Sequence, residues 1–281
     1  MRDRSGMVDL AVEEHVMNQS VNLKEADIVI SNYYRYYQAF ARSGIVEYHD
    51  GPVSWIKPKD GASGPSLAFR IRLDEKQAEE QLRELIEGIQ EKRVPELWHI
   101  TPDAMPKNVI SLLEENGFKN MAPADAEPEP TMLLYQKDFC PYVQKESNIV
   151  CRRVKTKEDF RAWIRVVNTA LHGWDMIDAE HYYVWVQSED IRIYLCEIDG
   201  VPVSTAATIC NGDVASLEFA STLEEYRRRG AAISLCSKAL TDLWENGVNM
   251  VTLGACEESP ALYEKLGFHK VYHNVLMILQ K

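Results

Sequence analysis

Hydrophobic and polar residues follow helical or strand periods along most of the chain, and their order predicts two α+β halves. Residues 121–130, rich in proline, alanine and acid, indicate a surface loop, and a linker is expected within 138–147. The domains are therefore predicted at residues 1–140 and 148–281. In the first half, helices are predicted over 26–42, 75–90 and 107–116, and strands over 51–56, 66–73, 97–100 and 132–136.

The first predicted helix carries four tyrosines within five positions, Tyr33, Tyr34, Tyr36 and Tyr37. Such residues could line a ligand pocket, but aromatic side chains at this spacing are usually core or interface residues. They are therefore assigned no chemistry.

The second half gives sharper signals. The Asp199-Gly200 and Asn211-Gly212 pairs are typical of two-residue hairpin turns, which predicts an antiparallel series of three strands. Antiparallel hairpins followed by alternating helices and strands imply a mixed sheet with helices packed on it. The predicted helices are 157–171, 179–187, 230–245 and 260–266, and the predicted strand regions are 191–198, 201–210, 214–221, 249–253 and 271–279.

The composition of the chain limits the classes of binding partner that are expected. The 281 residues include 43 acidic and 31 basic side chains, a formal charge of -12, which disfavours nucleic acid and anionic membranes and suits a cationic amine. Because no signal peptide or membrane-spanning run of ~20 apolar residues is evident, a cytoplasmic protein is expected. The six cysteines lack the spacing of a metal site, so no metal is expected, and all but Cys256 are interpreted as packing residues.

The most informative segment is the turn at 225–233, EYRRRGAAI, between a predicted strand and a predicted helix. Unpaired amides at a helix start lie at the positive end of a dipole of about half a charge, which suits a pyrophosphate. Gly230 and Ala232 keep the turn free of bulky side chains, and the arginines add attraction for phosphate. The alternative is that the arginines are a solvated surface feature.

This turn and a later segment together resemble a known family. The pattern Arg227-x-x-Gly230-x-Ala232 is similar to the pyrophosphate loop of the GCN5-related N-acetyltransferase (GNAT) superfamily, and residues 261–268, ALYEKLGF, are similar to that family's late helix. The resemblance covers about 149–281. It implies a mostly antiparallel α+β sheet flanked by helices, with acetyl-CoA as cofactor.

The resemblance also implies site residues. Tyr263 occupies the position of the family's general acid, although it could merely pack. Cys256 stands where many members have an asparagine, so Ser259 is expected to substitute, while Cys256 as an acetyl acceptor ranks below direct transfer. The implied cofactor contacts are Ala220, Ser221 and Thr222 along the pantetheine arm, Arg228, Arg229, Gly230, Ala231, Ala232 and Ile233 at the pyrophosphate, and Ser259.

The remaining site residues come from chemistry. An amine nucleophile must lose a proton, and Glu218, beside the cofactor, is the best carboxylate to accept it, unless it is an ordinary surface glutamate. Aromatic faces beside an acid suit a small amine, so Trp174, Asp175 and Tyr182 are the predicted substrate-binding residues.

The first half faintly echoes the second, because residues 113–118 resemble 262–268. It is interpreted as a degenerate second copy, with an unrelated α+β cap as the alternative. With no glycine between Leu73 and Gln81 it should not bind acetyl-CoA, and it is expected to shape the substrate cleft or an oligomer interface such as that of a homodimer.

The predicted function is transfer of acetyl from acetyl-CoA to a primary amine of a small molecule in a ternary complex. The alternatives are a non-catalytic acyl-CoA sensor and an enzyme that acetylates peptides or proteins.

Overall fold

The computed structural model describes residues 22–122, 129–256 and 259–280, which form seven α-helices and thirteen strands within those ranges. The helices are α1 (Leu23–Ala41), α2 (Ala78–Gln90), α3 (Val109–Glu115), α4 (Lys157–Val167), α5 (Val184–Gln187), α6 (Ala231–Trp244) and α7 (Pro260–Lys265). None of these is both long and apolar enough to cross a membrane.

The strands of the first half are β1 (Val46–His49), β2 (Val53–Pro58), β3 (Leu67–Ile71), β4 (Leu97–Ile100), β5 (Phe118–Asn120) and β6 (Pro130–Tyr135). Those of the second half are β7 (Ile149–Arg153), β8 (Ile191–Ile198), β9 (Val201–Asn211), β10 (Val214–Thr222), β11 (Met250–Gly254), β12 (His269–His273) and β13 (Val275–Leu279). Most predicted elements are confirmed within a few residues at each end. Strands β1, β5 and β7 have no predicted counterpart, and the aromatic helix expected over 179–187 is reduced to α5.

The two halves contain separate sheets with the same strand order. The first sheet has the order β1-β2-β3-β4-β13-β5, and the second has β7-β8-β9-β10-β11-β6-β12. Counted from β1 in the first sheet and from β8 in the second, the strands at each position correspond. Among the described strands, the parallel neighbours are β3 with β4 in the first sheet and β10 with β11 in the second, at the same position in the order. The shared strand order favours the interpretation of the first half as a second copy over an unrelated cap, and that interpretation stays a prediction.

The two copies exchange their last strands. Strand β13, from the end of the chain, lies between β4 and β5 of the first sheet, where Met277 is opposite Trp98. Strand β6, expected within the first domain, lies between β11 and β12 of the second sheet, where Leu134 is opposite Val251. The single strand region expected over 271–279 is thus two strands in different sheets, separated at Asn274. Hydrophobic pattern predicts that a segment is a strand, but it does not identify the strand's partner.

Helix α1 joins the halves near the centre of the molecule. Its aromatic side chains Tyr37 and Phe40 are buried in one core with Trp163 and Phe219 of the second half. The buried Asn32 amide donates to Thr252 Oγ1 of β11 at 3.2 Å. A helix from the degenerate copy is therefore a wall of the second copy.

Two cysteines correct the expectation that these residues only pack. Cys151 of β7 and Cys196 of β8 are direct cross-strand partners and form a disulfide. The two lie 45 positions apart in sequence, so the pairing becomes visible only when the strands are aligned.

Candidate active site

The second sheet opens into a slot between β10 and β11. These parallel strands are paired only from Val214 with Met250 to Ser216 with Thr252, and beyond that point they diverge. Strand β10 is bulged between Glu218 and Ser221, with Phe219 at φ +54°. The bulge turns the strand, so the edge that faces β11 no longer has ladder partners there among the described residues. Ala220, Ser221 and Thr222, the predicted pantetheine contacts, lie along this open edge.

At one end of the slot lies the arginine-rich turn. Arg228 has φ +59° and Gly230 has φ +90°, which curve the backbone into the start of α6. No side chain caps this helix, and its first internal bond runs from Ser234 N to Gly230 O at 3.1 Å. The amides of Ala231, Ala232 and Ile233 precede that bond and have no partner within the helix, which is the arrangement that binds anions. The side chain of Arg228 is exposed, and the guanidinium of Arg229 lies over the Tyr226 ring.

Glu218 lies at the other end of the slot, where β10 bulges. Its side chain is half-buried. Desolvation raises the pKa of its carboxyl to about 8, and the Ser216 hydroxyl acts in the opposite direction. A carboxyl with a pKa near the working pH is well suited to accept and release a proton. The alternative of an ordinary surface glutamate does not fit this environment, although its role as a base stays a prediction.

Tyr263 lies in the core beside the slot and is 6% exposed. Burial raises the pKa of its phenol well above the ordinary value, with the charges of Cys256 and Glu218 adding to the rise and the Ser259 hydroxyl opposing it. Ser259 lies 3.2 Å from the exposed Cys256 thiol. Tyr263 is therefore protonated at neutral pH and can act as a donor, not as a base.

Two tyrosines that were assigned no chemistry lie at this site. Tyr33 and Tyr36 of α1 are half-buried, and the charge of Glu218 contributes to the raised pKa of both phenols. Tyr33 Oη packs so closely on the backbone of Gly254, at the end of β11, that any side chain there would displace it. The i, i+3 spacing put the two on one helix face, but nothing in the sequence paired that face with β10.

The predicted substrate residues are not brought together. Trp174 is 54% exposed, and Asp175 is also exposed, 3.4 Å from the Asn168 amide. Tyr182 is 0% exposed and packs edge-on against Trp185, so its expected contact with substrate is wrong. An aromatic run next to a loop has the same pattern whether its rings face a cleft or a core.

The segment just before Trp174 does reach the site, through His172. His172 lies 6.4 Å, ring to ring, from Phe219 at the bulge, and burial lowers its pKa. Its Nε2 atom is buried without a hydrogen-bond partner in the described part of the protein.

The first copy has no such slot. Arg70, at φ +52°, repeats the bulge in β3, but Met105 fills the gap that follows it. Met105 N donates to Ile71 O at 3.0 Å and Leu73 N donates to Met105 O at 3.1 Å, so the edges are already bonded. The groove at the start of α2 is lined by Glu75, Glu79 and Glu80 together with Lys76, Arg83 and Lys107, so it carries no excess of positive charge for a phosphate.

Comparison with known proteins identifies the second copy. Residues 149–261 match the acetyltransferase (GNAT) domain family. This segment is a GNAT acetyltransferase domain. No match was found among curated proteins.

Solved structures share the fold of most of the chain, both halves included. A GCN5-related N-acetyltransferase from Kribbella flavida is similar over 90% of this chain and 96% of its own, with a TM-score of 0.68 and 19% identity. Another from Sphaerobacter thermophilus covers 80% and 79%, with a TM-score of 0.60 and 19% identity. A putative GNAT acetyltransferase from Novosphingobium aromaticivorans covers 91% and 98%, with a TM-score of 0.53 and 19% identity. The predicted α+β GNAT fold is therefore confirmed.

Proposed function

We propose that this protein transfers acetyl from acetyl-CoA to a primary amine of a small molecule, by direct transfer in a ternary complex. The observation that carries the proposal is the GNAT slot itself, which runs from the amides of the arginine-rich turn to a carboxyl, Glu218, whose pKa is about 8. When bound, acetyl-CoA supplies the activated acyl group as a thioester.

The cofactor site fits a long, polar-ended ligand. The open edge of β10 offers backbone groups to an extended arm, and the turn before α6 offers amides and arginines to a diphosphate. Ser259, whose hydroxyl interacts with the Tyr263 phenol, is the residue we assign to the arm in place of the family's asparagine.

Two residues of the domain would move protons. An amine with a pKa near ~10.4 costs about 4.6 kcal/mol to deprotonate at pH 7, so a base is needed. Glu218 takes the proton from the amine nitrogen, directly or through water, as that nitrogen bonds to the acyl carbon. Tyr263 gives its proton to the sulfur as the carbon–sulfur bond breaks.

A single cofactor per chain is expected, because only the second copy has an open slot. Calorimetric titration with CoA should give a stoichiometry of one and should protect residues 227–234 from hydrogen exchange. Gly230→Ala should weaken CoA binding about tenfold, since a left-handed residue other than glycine costs about 1–2 kcal/mol and the turn must keep that conformation to bind. A stoichiometry of two, or no heat at all, would contradict the proposal.

Gly247→Ala is the matched control for that variant. Gly247 has φ +82° just after the other end of α6, with open space around its Cα. Both variants should lose similar stability in thermal melts, but only Gly230→Ala should lose affinity for CoA.

The decisive experiment is thiol release from acetyl-CoA across a panel of small amines and peptides. Turnover on small amines supports the proposal. CoA binding without turnover on any acceptor would indicate the acyl-CoA sensor, and turnover on peptides alone would indicate a protein acetyltransferase.

A further inference from the structure

Three hydrogen bonds connect the degenerate copy to the site of the GNAT domain. Tyr37 Oη lies 2.9 Å from His99 Nδ1, His99 Nε2 lies 2.9 Å from Asn274 Oδ1, and Asn274 Nδ2 lies 3.1 Å from Tyr33 Oη. We call these four residues the relay. His99 is on β4 and 2% exposed, and Asn274 lies between β12 of the second sheet and β13, which crosses into the first sheet. The relay therefore exists only because the two copies are interlocked.

The chemistry of the groups fixes the direction of the relay. The Asn274 amide, as assigned, presents its oxygen to His99, so Nε2 of that ring must carry a proton. Burial lowers the pKa of His99 to about 4, so the ring is neutral and its Nδ1 accepts from Tyr37. The Asn274 NH₂ group donates to Tyr33. The hydroxyl proton of Tyr33 is consequently not used within the relay and remains available as a donor.

That proton is located in the cleft. Tyr33 Oη lies against Gly254 on the wall of the slot and within the influence of the Glu218 charge. Tyr36, one turn further along the same helix face, has a hydroxyl with no hydrogen-bond partner among the described residues. No lysine or arginine contributes to the electrostatic environment of Tyr33, Tyr36 or Glu218 within the described ranges. The cleft thus offers hydroxyl donors and a carboxyl, but no fixed positive charge.

We propose that Tyr33 donates a hydrogen bond to an uncharged oxygen close to the reacting nitrogen, so that the acceptor is an amino alcohol or a similarly oxygenated primary amine. This inference rests on the proposed function. A simple alkylamine would leave the Tyr33 donor unpaired in a desolvated site, which is costly. A carboxylate beside the amine would lie next to Glu218 without a cation to neutralise it.

The test compares the rates of wild type and Tyr33→Phe on two amines. The amines are 2-aminoethanol and propylamine, which have the same length and differ at the oxygen, with rates expressed per unprotonated amine. Wild type should prefer 2-aminoethanol by about 10- to 100-fold in kcat/KM, the range expected for one buried hydrogen bond. Tyr33→Phe should abolish this preference by lowering the rate on 2-aminoethanol, which loses its donor, and by keeping or raising the rate on propylamine, which no longer leaves a donor unpaired.

Two further variants test the route through the relay. Asn274→Asp puts a carboxylate oxygen opposite both His99 and Tyr33, so the Tyr33 proton turns toward it and the preference should again be lost. Tyr135→Phe is the control. It removes a phenol that donates a hydrogen bond to Glu25 of α1 at 2.9 Å, outside the cleft, and it should keep the preference. Unchanged CoA affinity in all variants shows that the fold is intact.

The outcomes separate this inference from the proposed function. Turnover with no preference in wild type, or equal losses on both amines in Tyr33→Phe, would overturn the role of Tyr33 in selecting an oxygenated amine. A loss of preference in Tyr135→Phe equal to that in Tyr33→Phe would also overturn it, because disturbance of α1 would then suffice. CoA binding without turnover on any amine would instead overturn the proposed function.

Discussion

Glu218→Gln should lower kcat/KM by about 10²–10⁴ at pH 8, because glutamine cannot accept the proton that the amine must lose. In wild type, kcat/KM should rise with pH to a bend near pH 8, the pKa of the half-buried carboxyl. The variant should lack this bend and should follow only the deprotonation of the amine itself. An acceptor with a pKa near ~10.4 keeps the two ionisations apart in the pH profile.

Glu197→Gln provides the control for this experiment. Glu197 lies on β8, and its carboxylate pairs with Arg152 at 2.7 Å, away from the slot. Its loss should leave the bend near pH 8 in place. A Glu218→Gln enzyme that kept the wild-type profile would remove Glu218 from the mechanism.

Stability should move in the opposite direction to activity. The folded protein keeps the Glu218 proton up to about pH 8, whereas the unfolded chain loses it near the ordinary value of 4.5. Because the folded state binds more protons in this window, stability falls as pH rises from about 4.5 to 8. Glu218→Gln lacks this fall, so its Tm at pH 8 should equal or exceed that of wild type. If the Tm of Glu218→Gln at pH 8 were lower than that of wild type, destabilisation of the fold would explain the loss of activity.

Tyr263→Phe should reduce kcat by about 10²–10⁴ while CoA affinity stays within about twofold. The ring remains packed on Phe268, 5.8 Å away between centroids, so the substitution removes the proton donor and little of the core. Single-turnover thiol release should slow by the same factor as kcat, because the lost proton acts in the chemical step.

Tyr194→Phe is the matched control for that substitution. Tyr194 belongs to the same core cluster and is 0% exposed, but its phenol responds to Asp242 and Arg192, not to Glu218. Its loss should leave kcat near the wild-type value. If the two variants lost activity equally, Tyr263 would be a packing residue.

The turn proposed to bind the cofactor could be identified in the sequence because its determinants are local. Successive backbone amides before α6 depend on Gly230 and on the turn geometry of a few neighbouring residues. The order of hairpins likewise follows from Asp199-Gly200 and Asn211-Gly212, whose glycines have φ +79° and +66°. Glu218 was identified on chemistry alone, and its burial became known only from the packing.

The proposed acceptor side of the site could not be predicted in the same way, because segments distant in sequence form it. Tyr33 and Tyr36 lie about 185 positions before Glu218, and their helical spacing is equally typical of a core face. Tyr182 shows the converse error, since a ring expected at the substrate is enclosed by the core. No local pattern distinguishes an aromatic side chain that lines a cleft from one that fills a core.

By itself, the sequence determined most of the strand and helix order, the candidate Glu218 and the turn proposed to bind phosphate, because these follow from short-range periodicity, turn chemistry or residue type. The candidate Tyr263 came from the resemblance of residues 261–268 to the GNAT family's late helix. The tertiary structure alone decided the exchange of β6 and β13, the closure of the first copy's slot by Met105, and the meeting of α1 with β10. These depend on which faces and edges pair across the chain, and hydrophobic pattern gives the same signal for every pairing that buries the same surface.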